Sequence, residues 1–145
     1  MIGFGEAVGL FYKNYVNFEG RSSRAEYWWP FLMQLIIYTS LATAFLILIG
    51  TDETDPSDGE AIAALSIFGA GGLFALVNLV PSIAVKVRRF HDLDQTGWLV
   101  LVFWAVNFFV PIAELARMIW FAFSGTDGPN RFGPDPYGTK GDIFG

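Results

Sequence analysis

The chain has 145 residues, a net charge of −5 and a mean hydropathy of +0.44. Hydrophobic residues make up 53% of it and charged residues only 16%, against roughly 25% charged in an average globular domain. A soluble domain of this size has too little interior for so many apolar side chains, so the composition predicts a single all-α membrane domain. No cysteine is present, which excludes disulfides and cysteine nucleophiles. The sequence also lacks a strong basic stripe of the kind that binds nucleic acid.

Residues 1–18 predict a short amphipathic helix that lies in the membrane interface. Helical spacing places most aromatic residues on one face, which would enter the headgroup region, and most polar residues on the other. The segment does not resemble a cleavable signal peptide, because Glu6 and Lys13 interrupt its apolar residues. The predicted membrane-facing residues are Phe4, Val8, Phe11, Tyr12, Tyr15 and Phe18.

The first membrane span is predicted at residues 24–50. Ser23 and Glu26 have the spacing of a capping box, which marks the start of a helix. No residue from Tyr27 to Thr51 is charged. That run exceeds the ~20 residues needed to cross a hydrocarbon core of about 30 Å.

An acidic loop at 51–60 separates this span from a second, predicted at 61–85, and a polar connector follows at 86–95. Lysine and arginine precede the first span and follow the second, whereas the loop between the spans contains neither. The positive-inside rule therefore predicts a multi-pass protein with a cytoplasmic N-terminus, a cytoplasmic connector and an external acidic loop.

The third apolar stretch, residues 96–123, allows two interpretations. As one helix it would be roughly 43 Å long at ~1.5 Å per residue, which exceeds the thickness of the hydrocarbon core. A single tilted span is favoured, which makes three spans in all. The alternative is a break near Pro111 that gives a re-entrant hairpin or two short crossings. Residues 124–145 are rich in Gly, Pro and Asp and predict an irregular tail.

Glu114 and Arg117 are the charged residues of the third stretch, three positions apart. Ionisable residues inside a membrane are candidates for a functional role because their burial is costly. At the interface, which is where a single tilted span would place them, they would instead form a snorkelling ion pair with a structural role.

Polar residues at the start of the first span form one candidate site. Arg21, Arg24 and Glu26 lie at the predicted cytoplasmic surface, where they suit a lipid phosphate or the carboxylate of a partner. The structural alternative is that the arginines set the topology and Glu26 closes the capping box.

The connector carries a second group of polar residues, Arg88, Arg89, His91 and Asp92. If the second helix continues this far, Arg88 and Asp92 lie one turn apart and can pair. His91 beside Asp92 suggests acid–base or metal chemistry. A metal site needs three or four convergent ligands, however, and no nucleophile with a matching base is evident. A hydrogen-bonded turn is therefore favoured, with no catalytic residue, no metal and no cofactor.

The motifs resemble those of a family of small bacterial inner-membrane proteins catalogued as domain of unknown function 805 (DUF805), over most of the chain. Phe90, Thr96 and Phe132 stand where the family has Leu, Ser and Tyr. The resemblance implies a bacterial inner-membrane location and supplies no established activity. The matching segments are Gly20-Arg21-x-x-Arg24-x-Glu26-Tyr27-Trp28, Arg88-Arg89-Phe90-His91-Asp92, Thr96-Gly97-Trp98, and Asn130-Arg131-Phe132-Gly133-Pro134-Asp135-Pro136.

Function is predicted as a non-enzymatic membrane adaptor whose cytoplasmic polar cluster holds an anionic lipid headgroup or a protein partner. The alternative is a subunit of a small homo-oligomeric transporter or channel, with small residues in Gly69–Gly72 allowing helices to approach closely. A lipid-headgroup enzyme that uses His91 and Asp92 is a more distant option. The predicted cluster comprises Arg21, Arg24, Glu26, Arg88, Arg89, His91 and Asp92, extended by Asn130 and Arg131.

Overall fold

A computed structural model describes residues 2–50 and 57–138. Within these ranges the chain is all-helical and contains no β-strand, which confirms the predicted all-α class. The described helices are α1 (Phe4–Lys13), α2 (Arg24–Gly50), α3 (Asp58–Asp92), α4 (Leu99–Phe109) and α5 (Ala113–Ala122).

The helices α2 and α3 are each long and apolar enough to cross a membrane. The predicted capping box at the start of α2 is confirmed. The Glu26 N–H donates to Ser23 Oγ at 3.3 Å, and the Ser23 N–H donates to Glu26 Oε1 at 3.3 Å. Ser57 and Glu60 cap α3 in the same way, since the Ser57 N–H donates to Glu60 Oε2 at 2.8 Å. Residues 51–56 of the predicted acidic loop lie outside the described residues.

The helix α3 continues to Asp92, so the predicted polar connector at 86–95 is helical over most of its length. No Gly or Pro interrupts residues 86–92. The basic side chains of the last turn interact favourably with the negative end of the helix dipole and so stabilise this part of the helix. At 35 residues, α3 is about 52 Å long, well beyond the ~30 Å of a hydrocarbon core. The helix is therefore long enough for its last turns to extend past the hydrocarbon core.

The favoured prediction of one continuous helix over 96–123 is wrong. The helix α4 ends at Phe109, and α5 begins at Ala113. Pro111 explains the break, because it has no N–H to donate and its ring disfavours a helical backbone at the preceding residue. Val110 accordingly adopts φ −134° and ψ 83°. The break near Pro111, the alternative interpretation, is what the structure contains.

Contacts divide the chain into two units. One comprises the described residues of Met1–Pro30 and Val80–Gly145, and the other comprises Phe31–Leu79. The first unit has an aromatic core in which Phe121 packs edge-on against Phe90 and Tyr27, with ring centroids 4.7 and 4.8 Å apart. The core residues are Phe11, Tyr27, Val85, Phe90 and Phe121.

The helix α1 forms inside the predicted segment 1–18 but does not place all its aromatic residues outward. Phe11 and Ala7 are buried in the first unit, whereas Phe4 and Tyr12 stay exposed. The Phe4 ring meets Trp29 edge-on at 5.7 Å. One side of α1 is therefore held by the protein itself, which corrects the prediction that Phe11 enters the headgroup region.

In the second unit, the C-terminal half of α2 packs against α3. Tyr38 meets Phe74 edge-on with centroids 5.4 Å apart. A Cβ on Gly71 would lie 3.6 Å from Leu41, which is ordinary packing distance. One of the small residues of the Gly69–Gly72 segment is therefore already used in contacts within the chain.

Candidate functional site

Asp92 is the centre of a buried ion-pair network at the end of α3. Its Oδ1 accepts from Arg21 Nε at 3.0 Å and lies 2.9 Å from Arg21 Nη2, while its Oδ2 pairs with Arg89 Nη1. All three side chains are at most 1% exposed. Two buried guanidinium groups thus share one buried carboxylate. Removing the carboxylate would leave two buried positive charges uncompensated. We call these residues the Arg21–Asp92–Arg89 triad.

Arg89 also binds the end of α5. Its Nε and Nη2 donate to the carbonyl oxygen of Phe121 at 3.2 and 3.0 Å, and Nη2 donates to that of Phe123. The last carbonyls of a helix lack partners within the helix, and here a guanidinium supplies the donors. Arg89 therefore fixes where the hairpin of α4 and α5 returns to α3.

Arg21 binds the tail in the same manner. Its Nη1 donates to the carbonyl oxygen of Gly128 at 2.5 Å and its Nη2 to that of Thr126 at 2.6 Å. The Thr126 N–H in turn donates to the carbonyl oxygen of Asp92 at 2.9 Å. These acceptors are main-chain carbonyls, which any residue type provides, so the sequence gives no signal for them.

Gly125 makes the close approach of the tail possible. A Cβ built at this position would lie 2.1 Å from Asp92 Oδ2 and 2.5 Å from Asp92 Cγ. No side chain fits at such distances unless the backbone moves. Gly125 is thus a residue of the site that motif analysis missed.

His91 does not take part in the triad and holds a different part of the tail. Its Nδ1 donates to the carbonyl oxygen of Gly20 at 3.0 Å, and its ring stacks on Phe132 with centroids 4.0 Å apart and planes 4° apart. Asn130 Nδ2 donates to the carbonyl oxygen of His91 at 2.8 Å. Burial lowers the pKa of His91 below its ordinary value of 6.5, which favours the neutral ring.

The predicted pair of Arg88 with Asp92 does not form. Asp92 is taken by Arg21 and Arg89, and the carboxylate nearest to Arg88 is that of Glu26, whose Oε2 lies 3.9 Å from Arg88 Nη1. The spacing of one helical turn permits a pair between Arg88 and Asp92, but the contacts across the fold decide which arginine makes it.

Arg24 and Arg131 lie at the surface and do not join the triad. The backbone N–H of Arg24 donates to the Tyr137 hydroxyl oxygen at 2.9 Å. Arg131 Nε lies 3.2 Å from Asp94 Oδ1, and both side chains are about half exposed or more, at 62% and 48%. An exposed pair of this kind contributes little to stability.

Glu114 and Arg117 form the predicted pair, but the arginine is buried rather than snorkelling. Arg117 is 2% exposed, and its guanidinium binds both oxygens of Glu114 and, at 3.2 Å, the hydroxyl oxygen of Tyr27. It also lies over the Phe121 ring, 4.8 Å from the centroid. The single-span prediction put this pair at the opposite membrane face from the start of the first span, whereas α5 places Arg117 beside the start of α2.

An apolar groove of about 550 Å³ runs beside the stacked rings of His91 and Phe132. Gly97 is needed on its wall, since a Cβ there would lie 2.5 Å from Val87 Cγ1. Trp98, which is 73% exposed, stands at its edge. Three of the four matching segments of the sequence therefore contribute to this groove, through His91, Gly97 with Trp98, and Phe132.

Residues 15–134 match the model of a family described as protein of unknown function, DUF805. The inner membrane protein YhaI of Escherichia coli K12 is 37% identical over 125 residues, which cover 86% of this chain and 89% of YhaI. The inner membrane protein YhaH of the same strain is 35% identical over 125 residues, covering 86% and 90%. The uncharacterized protein YiiR is 30% identical over 149 residues, covering 86% and 88%. No solved structure matches the chain.

Proposed function

The chain belongs to the DUF805 family of proteins of unknown function, and from that premise we propose that it is a non-enzymatic interaction module of the bacterial inner membrane. It holds a partner protein on a surface whose shape is fixed by the Arg21–Asp92–Arg89 triad. Its relatives YhaI and YhaH are named inner membrane proteins, which supports the location. We call the exposed side chains around the triad the cytoplasmic platform. They are Arg24, Asp94, Trp98, Arg131 and Tyr137.

The proposed topology has two full spans, α2 and α3, and a hairpin that enters the membrane and returns. At 11 and 10 residues, α4 and α5 are each about 15 Å long, half of a ~30 Å hydrocarbon core. The bonds from Arg89 to Phe121 return the end of α5 to the end of α3. Combined with the positive-inside rule, the proposed topology has the N-terminus, the triad and the tail together in the cytoplasm.

Labelling of single cysteines tests this topology, and the chain has no native cysteine to interfere. Ser57→Cys and Pro129→Cys both change exposed residues. In cells whose inner membrane alone is intact, we expect a membrane-impermeant thiol reagent to label Ser57→Cys and to leave Pro129→Cys unlabelled until the membrane is opened. Labelling of Pro129→Cys in intact cells would place the tail outside and contradict the proposed topology.

One observation carries the proposed function: polar residues of three matching segments converge, yet Arg21, Arg89 and Asp92 are buried and already bonded to one another. His91 and Asp92 are not hydrogen-bonded to each other; each is engaged by other partners, Gly20 for the ring and Arg21 with Arg89 for the carboxylate. This arrangement supports a structural role rather than acid–base catalysis. It leaves the charged and aromatic side chains of the platform as the groups that a partner can contact.

Photo-crosslinking tests the platform. With a photoreactive phenylalanine analogue in place of Trp98, we expect a discrete crosslinked adduct in cells. The double variant Arg24→Ala and Arg131→Ala should lose most of that adduct, because it removes both exposed platform arginines while the triad stays intact. Lys13→Ala, which removes an exposed base of α1, is the matched control and should keep the adduct. An adduct unaffected by the double variant would count against the proposal.

The alternative, an oligomeric transporter or channel subunit, has less support. In the second unit, a groove of about 330 Å³ lies next to Gly71 and Gly72. None of its lining residues is charged, so it offers no site for an ion or a charged solute. Those residues are Tyr38, Leu41, Ala42, Phe45, Ile67, Phe68, Gly71 and Gly72.

A further inference from the structure

Arg88 differs from the other buried arginines of the first unit because no described residue supplies a hydrogen-bond acceptor for its guanidinium. Its side chain is 5% exposed, and its Nε is buried without a partner among the described residues. The nearest carboxylate oxygen, Glu26 Oε2, is 3.9 Å from Nη1, beyond hydrogen-bonding distance. By contrast, Arg21, Arg89 and Arg117 each donate at least three hydrogen bonds.

Glu26 is not free to move onto Arg88. Its Oε1 accepts from the Ser23 N–H at 3.3 Å, and its Oε2 accepts from the Ser22 hydroxyl at 3.1 Å. The capping box thus holds the carboxylate at the start of α2 and keeps it from closing on the guanidinium. A buried cation that lacks hydrogen-bond acceptors is strongly disfavoured unless an outside group supplies them.

The position of Arg88 indicates the class of that outside group. It lies three residues beyond the predicted second span, 61–85, where phospholipid headgroups meet the protein. The Ser22 N–H donates to the Arg88 carbonyl oxygen at 3.1 Å, so the positive end of the α2 dipole is adjacent. Phosphate oxygens are the anionic acceptors that an arginine at this level of a membrane encounters, and the guanidinium suits them.

We propose that Arg88 binds the phosphate group of an anionic phospholipid at the start of α2. The anion reaches the guanidinium through the small part of the side chain that is exposed and supplies the acceptors that the described residues do not provide. The proposal rests on the membrane topology of the proposed function but concerns a lipid rather than the protein partner.

Native mass spectrometry of the protein released from nanodiscs measures this binding. The nanodiscs contain phosphatidylcholine alone or an equal mixture with phosphatidylglycerol. We expect the wild type to retain phosphatidylglycerol, and Arg88→Met to bind it about tenfold more weakly, the effect expected for one charge-assisted hydrogen bond. Arg131→Met is the matched control, because it removes an exposed arginine instead, and it should bind as the wild type does. Equal retention by Arg88→Met and the wild type would overturn the proposal.

Two further measurements keep the test decisive. Glu26→Gln should raise the affinity for phosphatidylglycerol, because it removes the neighbouring negative charge while glutamine still fits a capping box. An unchanged or lower affinity would contradict the proposal even if Arg88→Met does not fold. Inorganic phosphate added to nanodiscs of phosphatidylcholine should not bind measurably, and binding equal to that of the lipid would overturn the lipid assignment. Loss of lipid by Arg88→Met with the crosslinked adduct at Trp98 intact separates this site from the platform.

Discussion

Asp92→Asn is expected to lower the free energy of unfolding by about 3–5 kcal/mol, the range for removing one partner of a buried ion pair. The substitution leaves the guanidinium groups of Arg21 and Arg89 buried without a counter-charge. Both arginines also hold the tail and the end of α5, so the loss should be greatest in that part of the molecule. Thermal unfolding in detergent micelles measures the overall effect, and the rate of trypsin cleavage after Arg131 measures release of the tail.

Asp94→Asn provides the matched control for this experiment. It removes the same charge two residues away, from the exposed pair with Arg131, where the expected change is below about 1 kcal/mol. If Asp92→Asn were as stable and as resistant to trypsin as Asp94→Asn, the triad could not be what holds the tail in place.

Gly125→Ala is expected to displace the tail without changing any charge. Its Cβ would lie 2.1 Å from Asp92 Oδ2, an oxygen that is already paired with Arg89. The carboxylate therefore cannot yield without breaking the triad, and the backbone at 125 must move instead. We expect a loss of about 1–3 kcal/mol, the usual range for overpacking, together with faster trypsin cleavage after Arg131.

Gly9→Ala is the control for the same substitution at an open position. Gly9 lies within α1, and a Cβ there meets nothing within 4 Å. Alanine is favoured over glycine inside a helix by about 1 kcal/mol, so this variant should be as stable as the wild type or more so. Wild-type cleavage rates in Gly125→Ala would show that the tail approaches Asp92 less closely than the structure indicates.

Local signals in the sequence predicted the elements that local chemistry determines. The spacing of Ser23 and Glu26 identified the start of α2 because a capping box needs only those two residues. The uncharged runs identified the two long helices because a span depends on length and apolarity alone. The pair of Glu114 with Arg117 followed from helical spacing in the same way.

Features that depend on distant contacts were not predictable. Arg88 and Arg89 are adjacent and chemically identical, yet of the two only Arg89 pairs with Asp92. The other carboxylate oxygen of Asp92 is taken by Arg21, which is 71 residues away in the sequence. The length of the third stretch suited one helix or two. The structure contains two helices in a hairpin, and Arg89 donates hydrogen bonds to the carbonyl oxygen of Phe121 at its end, 32 residues away in the sequence. Gly125 was missed because its role is to provide space rather than a chemical group.

The bond from Arg21 to Gly128 also sets an order for assembly. These residues are 107 positions apart, so the acceptor is synthesised only after both long helices and the hairpin have been synthesised. A chain that stops before Thr126 retains both buried arginines but lacks the carbonyl oxygens that bind Arg21. The hydrogen bonds of Arg21 are therefore complete only in a chain that extends to Gly128, and a shorter or wrongly inserted product leaves buried donors of Arg21 without acceptors.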